Sequence, residues 1–117
     1  MSLEILNKEF NNYDEVFNLS FKYDFINQCY NLEIILADNL RDFIESKFLK
    51  VLFFNVSDLN ISKLNGIYNQ FFKMLIVNND EVLENVFYEL IQTEEDNIYC
   101  KFRDYSFELL SYIEWVR

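Results

Sequence analysis

Proline is absent from this sequence and glycine occurs once, at Gly66. The chain must therefore turn on other residues. Asparagine and aspartate suit that work, because they tolerate left-handed backbone and bond their own main chain. Their clusters punctuate the sequence at Asn11-Asn12, Asp38-Asn39, Asn78-Asn79-Asp80 and Asp96-Asn97. No low-complexity linker and no internal repeat interrupts the pattern, so residues 1–117 read as one domain.

Most segments between these breaks alternate. In VFNLSFKY, Phe17, Leu19, Phe21 and Tyr23 share one face against Asn18, Ser20 and Lys22, the period of a half-buried strand. YNLEIIL repeats it with Tyr30, Leu32, Ile34 and Leu36, and the short DFINQC between the two runs predicts an antiparallel hairpin. FLKVLFFNV is apolar on both faces, as a central strand covered on both sides would be. VFYELIQ, NIYCKFR and SFELLSY follow in close succession and predict a meander.

Two segments are less regular. DNLRDFIESKF places Leu40, Phe43, Ile44 and Phe48 at helical spacing behind Asp38 or Asn39 as N-cap, which predicts a short helix. KLNGIYNQFFKMLIV carries a helical stripe, yet its second half is rich in strand formers, and Gly66 weakens a helix by about 1 kcal/mol relative to Ala. A strand from about Gln70, after an irregular or helical turn, is the expectation there. The fold class is therefore α+β and mainly β. It is an antiparallel sheet of meander type, rolled or sandwich-like, with one or two short helices.

Composition narrows the function. Half of the residues are hydrophobic, with thirteen Phe, eight Tyr and one Trp, Trp115, so the chain can build a core despite a net charge of −10. Its apolar runs, such as Val51–Phe54, stop at four or five residues, far short of the ~20 of a membrane span. The N-terminus shows no basic region followed by an apolar stretch, so no secretory signal is expected. Two distant cysteines, Cys29 and Cys100, fit buried thiols in a reducing cytoplasm, with one long-range disulfide as the alternative. Twenty acids against ten bases disfavour nucleic acid, which requires Lys and Arg to neutralise phosphates. The sign suits a basic partner, or it simply keeps an aromatic-rich protein in solution.

Catalytic motifs are missing. With no histidine, Ser-His-Asp and Cys-His arrangements and Cys/His zinc sites cannot be built. No glycine-rich loop could cradle a phosphate. The NNDEVLEN stretch lacks the Gly and the ligand spacing of a calcium loop. Cys100 shares its strand face with Ile98 and Phe102, away from Lys101 and Arg103, so it reads as a core thiol. Carboxylates are what remains: Asp80, Glu81 and Glu84 after one strand, and Glu94, Glu95 and Asp96 after the next. A carboxylate pair can serve as acid and base, but twenty acids offer many pairs. Each cluster reads as a solvated turn or, more sharply, as a partner-binding patch; no catalytic residue, metal or cofactor is expected. Aromatics on both faces of LFF at 52–54 and of FF at 71–72 call for a covering layer or an interaction surface.

The second half of the chain also resembles a known family. Tyr68-Asn69-Gln70, Tyr88-Glu89, the turn Glu94-Glu95-Asp96-Asn97 and the following Ile98-Tyr99-Cys100 are similar to features of small uncharacterised bacterial proteins encoded near polymorphic or contact-dependent toxins. The likeness spans about residues 50–103. It departs where such sequences often carry a Trp before the Tyr-rich strand, since Leu83 and Glu84 stand here. The resemblance implies an immunity protein or accessory factor, with no active site to carry over. The combined expectation is a non-catalytic cytoplasmic protein that docks an acidic face on a basic toxin, with electrostatic steering of the encounter. The alternative is an assembly module acting as a homodimer or larger homo-oligomer.

Overall fold

A computed structural model of the chain describes residues 2–62, 64–79 and 87–111. Among them eight strands and one α-helix form a mainly β structure. Helix α1 (Ser2–Glu9) is followed by β1 (Glu15–Asp24), β2 (Cys29–Ala37), β3 (Lys47–Phe54), β4 (Ser57–Ile61), β5 (Met74–Asn78), β6 (Tyr88–Gln92), β7 (Ile98–Phe102) and β8 (Asp104–Ser111). The strands make two four-stranded antiparallel sheets, in the orders β1-β2-β3-β8 and β4-β7-β6-β5. No helix among the described residues is long and apolar enough to cross a membrane.

One apolar cluster joins the two sheets. Leu32, Ile34 and Leu36 of β2 and Leu49, Val51 and Phe53 of β3 meet Ile76, Leu90, Ile98, Cys100 and Phe102 from the second sheet. The alternation of polar and apolar positions places these side chains inward. Phe53 and Phe102 meet edge to face across the cluster, with centroids 4.8 Å apart, a geometry favoured for aromatic pairs. Leu6 and Phe10 bring α1 onto the same core. This helix is not among those expected from spacing, although Leu3, Leu6 and Phe10 already lie on one helical face.

Four expectations are corrected. The predicted helix over 38–48 is a single 3-10 turn, Leu40–Asp42, with the Asn39 side chain accepting from Arg41 N. Its helical spacing has another origin: Leu40 and Phe43 fold over Ile35, Ala37 and Phe48 on the outer face of the first sheet, while Phe48 belongs to β3. Second, Phe17 does not share a face with Leu19. A register shift between Val16 and Asn18 inserts one residue, and such a bulge reverses the alternation. Val16 and Leu19 both face the main core, while Phe17 packs on Phe43 and Phe48. Third, the chain before β5 is irregular, and regular pairing begins at Met74; Gln70 makes only an isolated bridge to Glu15.

Fourth, the third strand of the predicted meander leaves its sheet. β6 and β7 pair as expected, but after the single residue Arg103 the chain crosses over and β8 pairs with β3, Phe107 opposite Val51. Arg103 N bonds Phe54 O at 2.9 Å at this corner. The β3–β4 crossing uses the same corner, where Asn55 adopts left-handed backbone (φ 57°) and its amide bonds Asn31 Oδ1 at 3.1 Å. β3 is thus central, as FLKVLFFNV predicts, but its outer face is buried only at Phe48; Leu52 and Phe54 are half-buried. Trp115 and the predicted contact residues Asp80, Glu81 and Glu84 lie outside the described residues.

Candidate functional site

Glu94, Glu95 and Asp96 lie in the loop between β6 and β7, all three exposed. The backbone beneath them is well bonded. Gln92 Oε1 accepts from Asn97 N at 2.7 Å and from Ile98 N at 3.0 Å, and Gln92 Nε2 donates to Phe72 O at 2.7 Å. On the flank, Ser62 N donates to Asn97 O at 2.9 Å and Ser62 Oγ to Asp96 O at 3.1 Å. Glu95 accepts from Asn97 Nδ2 at 2.7 Å. The turn therefore presents its carboxylates from a fixed frame. None of the three forms an ion pair with a described residue.

Beside the turn runs the irregular segment 64–72. Asn69 folds it back: its side chain accepts from Asn65 N at 2.6 Å and donates to Asn65 O at 2.9 Å. Its backbone is stitched to the start of β1, with Val16 N on Asn69 O at 2.9 Å and Phe71 N on Asp14 O at 2.8 Å. Phe71 is buried in the core and anchors the segment. Leu64, Ile67, Tyr68 and Phe72 are left exposed. A cleft of about 230 Å³ separates segment and turn, lined by Leu64, Tyr68, Phe71, Phe72, Glu95 and Asn97 among others.

Two more carboxylates border this region. Asp14 Oδ1 accepts from Gln70 Nε2 at 3.2 Å, and Glu15 Oε1 accepts from Leu40 N at 3.1 Å. Burial, then the charges of Glu15 and Asp14, push the Tyr68 phenol above its ordinary value, with Arg41 opposing. The phenol stays protonated and can donate. The arrangement suits binding: apolar side chains at the centre, fixed carboxylates around them. Sequence reasoning reached the acidic turn and, in the aromatics at 71–72, one end of the segment beside it, but not the cleft between them, nor Asp14 and Glu15. The available signal was apolar residues beside Asn65-Gly66 that fit no strand alternation.

The Cys100 thiol is not poised for chemistry. Both cysteines are free, and burial pushes the Cys100 thiol up to about 12. Cys29 is half-buried rather than buried, 3.7 Å from Asn31 Oδ1. Among the described residues no three His, Cys, Asp or Glu side chains converge where they could hold a metal ion. Comparison with family models, curated proteins and solved structures finds no match to this chain.

Proposed function

We propose that this is a non-catalytic cytoplasmic binding protein, an immunity protein that neutralises a basic toxin. The observation that carries the reading is the pairing of a braced acidic turn, Glu94-Glu95-Asp96, with the apolar cleft between it and segment 64–72. Leu64 and Phe72 act as apolar anchors, and the carboxylates meet Lys and Arg of the toxin. Interfaces of this kind take their affinity from a few buried apolar groups and their on-rate from charge. The net charge of −10 extends the attraction beyond the contact itself. The likeness of residues 50–103 to proteins encoded near toxins supports the same reading.

The test is co-expression with the product of the adjacent gene, assayed for toxicity to the host. Protection of the host and a stable complex support the proposal. Unrelieved toxicity with no complex rejects it.

A further inference from the structure

The β1–β2 hairpin reaches past the shared core. On its inward face Phe21 stacks on Tyr30 at 4.9 Å, Tyr23 meets Tyr30 at 5.2 Å, and Phe25 meets Tyr23 at 5.3 Å, yet all four rings remain substantially exposed. At the tip, Phe25 is 84% and Ile26 91% exposed. The tip is not loose. Asp24 accepts from Ile26 N, Asn27 N and Asn27 Nδ2 at 3.0, 3.2 and 2.8 Å. These bonds, the Asn27 side chain foremost, hold its carboxyl below the ordinary range.

The backbone edge of β1 adds a second observation. Near Glu15 the edge is occupied by segment 69–71. From Asn18 to Asp24 it pairs with no described segment, since β1 ends its sheet. An open edge of this length is a template for another strand. The charge pattern favours a second copy. In a chain of net −10, residues 16–32 carry only Lys22 and Asp24 and are neutral together. This edge therefore escapes the repulsion that the rest of the surface would impose on two copies.

We infer that two copies of this chain pair antiparallel through Asn18–Asp24, about a two-fold axis near Phe21, and that the Phe25–Ile26 tip of each covers Ile67 of the other. The register places Lys22 opposite Ser20 and Asp24 opposite Asn18, so no like charges meet. It also runs the end of one β1 to the start of the other. There the segment joined to Glu15 carries Ile67, which is 99% exposed and does not line the acidic cleft. An aromatic side chain carries roughly 150–250 Å², and an isoleucine an area near the lower end of that range. Covering Phe25, Ile26 and Ile67 in both copies removes on the order of 1,000 Å² in total, before the strands themselves are counted, which reaches the range of specific interfaces. The arrangement is isologous, as a two-fold dimer requires. It is independent of toxin docking and leaves the acidic turn open.

Sedimentation velocity over micromolar to submillimolar concentrations tests it. The expected result is a concentration-dependent dimer of twice 14.3 kDa. Ile67→Asp, at a position with no packing to lose, should weaken the dimer at least tenfold while leaving circular dichroism and Tm unchanged. Ile26→Lys, at the 91% exposed tip residue that covers Ile67, should do the same from the other side of the contact. A wild-type chain that stays monomeric throughout overturns the inference, as does a dimer indifferent to both substitutions.

Discussion

Asn7 offers a sharp test of how the second sheet is closed. This α1 residue lies 69 positions from Ile76, yet its Nδ2 donates to Ile76 O at 3.0 Å and its Oδ1 accepts from Ile76 N at 2.9 Å. A primary amide offers the same donor and acceptor as a peptide group, so Asn7 occupies the edge of β5 as a neighbouring strand would. Each bond is worth about 0.5–1.5 kcal/mol net, and removing the amide leaves two half-buried backbone groups unpaired, so the loss is about 2 kcal/mol. Alanine returns about 0.5 kcal/mol through better helix propensity. Asn7→Ala should therefore destabilise by about 1.5 kcal/mol and lower Tm by about 6 °C for a domain of this size. Asn7→Asp keeps an acceptor for Ile76 N but sets a carboxylate against Ile76 O, and should cost at least as much. Urea titrations followed by circular dichroism measure both, with the midpoint moving at constant m. Wild-type stability in either variant would refute the reasoning.

Three further outcomes follow from the same structure. Gln92→Ala removes both acceptor bonds to Asn97 N and Ile98 N and the donor bond to Phe72 O; it should cost about 2–3 kcal/mol and speed hydrogen exchange at residues 97 and 98. Phe102→Ala empties a fully buried site between the sheets and should cost about 3–5 kcal/mol by denaturant titration. Burial raises the Cys100 thiol from 9.0 to about 12, so its contribution is intact below pH 9 and is lost as pH rises towards 12. Cys100→Ala should start less stable but decline less steeply over that window, and iodoacetamide should label Cys29 in the folded protein and Cys100 only after denaturation.

The β1–β2 hairpin was legible in the sequence because alternation and a short connection are local signals. The same holds for the β6–β7 hairpin and for Cys100 as a core thiol. What escaped depended on contacts distant in sequence. One residue inserted at Phe17 sends its ring to the outer face, which no periodicity announces. β8 alternates like a meander strand, but β3 rather than β7 is its partner, a choice made by Tyr105 and Phe107, which pack on the shared core across the corner at Arg103. Phe43 and Phe48 looked helical because a loop folded over a sheet can repeat helical spacing. For the site, the charges of Glu94, Glu95 and Asp96 were plain, but the apolar segment beside them became visible only once Gln92 and Asn69 were seen to fix both walls of the cleft.

The central claim is that the acidic turn docks a basic partner. Its most direct test is the affinity of Glu94→Gln/Glu95→Gln/Asp96→Asn for that toxin across a range of salt concentrations. Three exposed charge contacts at about 0.2–1 kcal/mol each amount to roughly a tenfold loss of affinity. The account predicts that loss at low salt, a flatter salt dependence, and a folding stability within about 0.5 kcal/mol of the wild type. An unchanged affinity with the wild-type salt slope would contradict it.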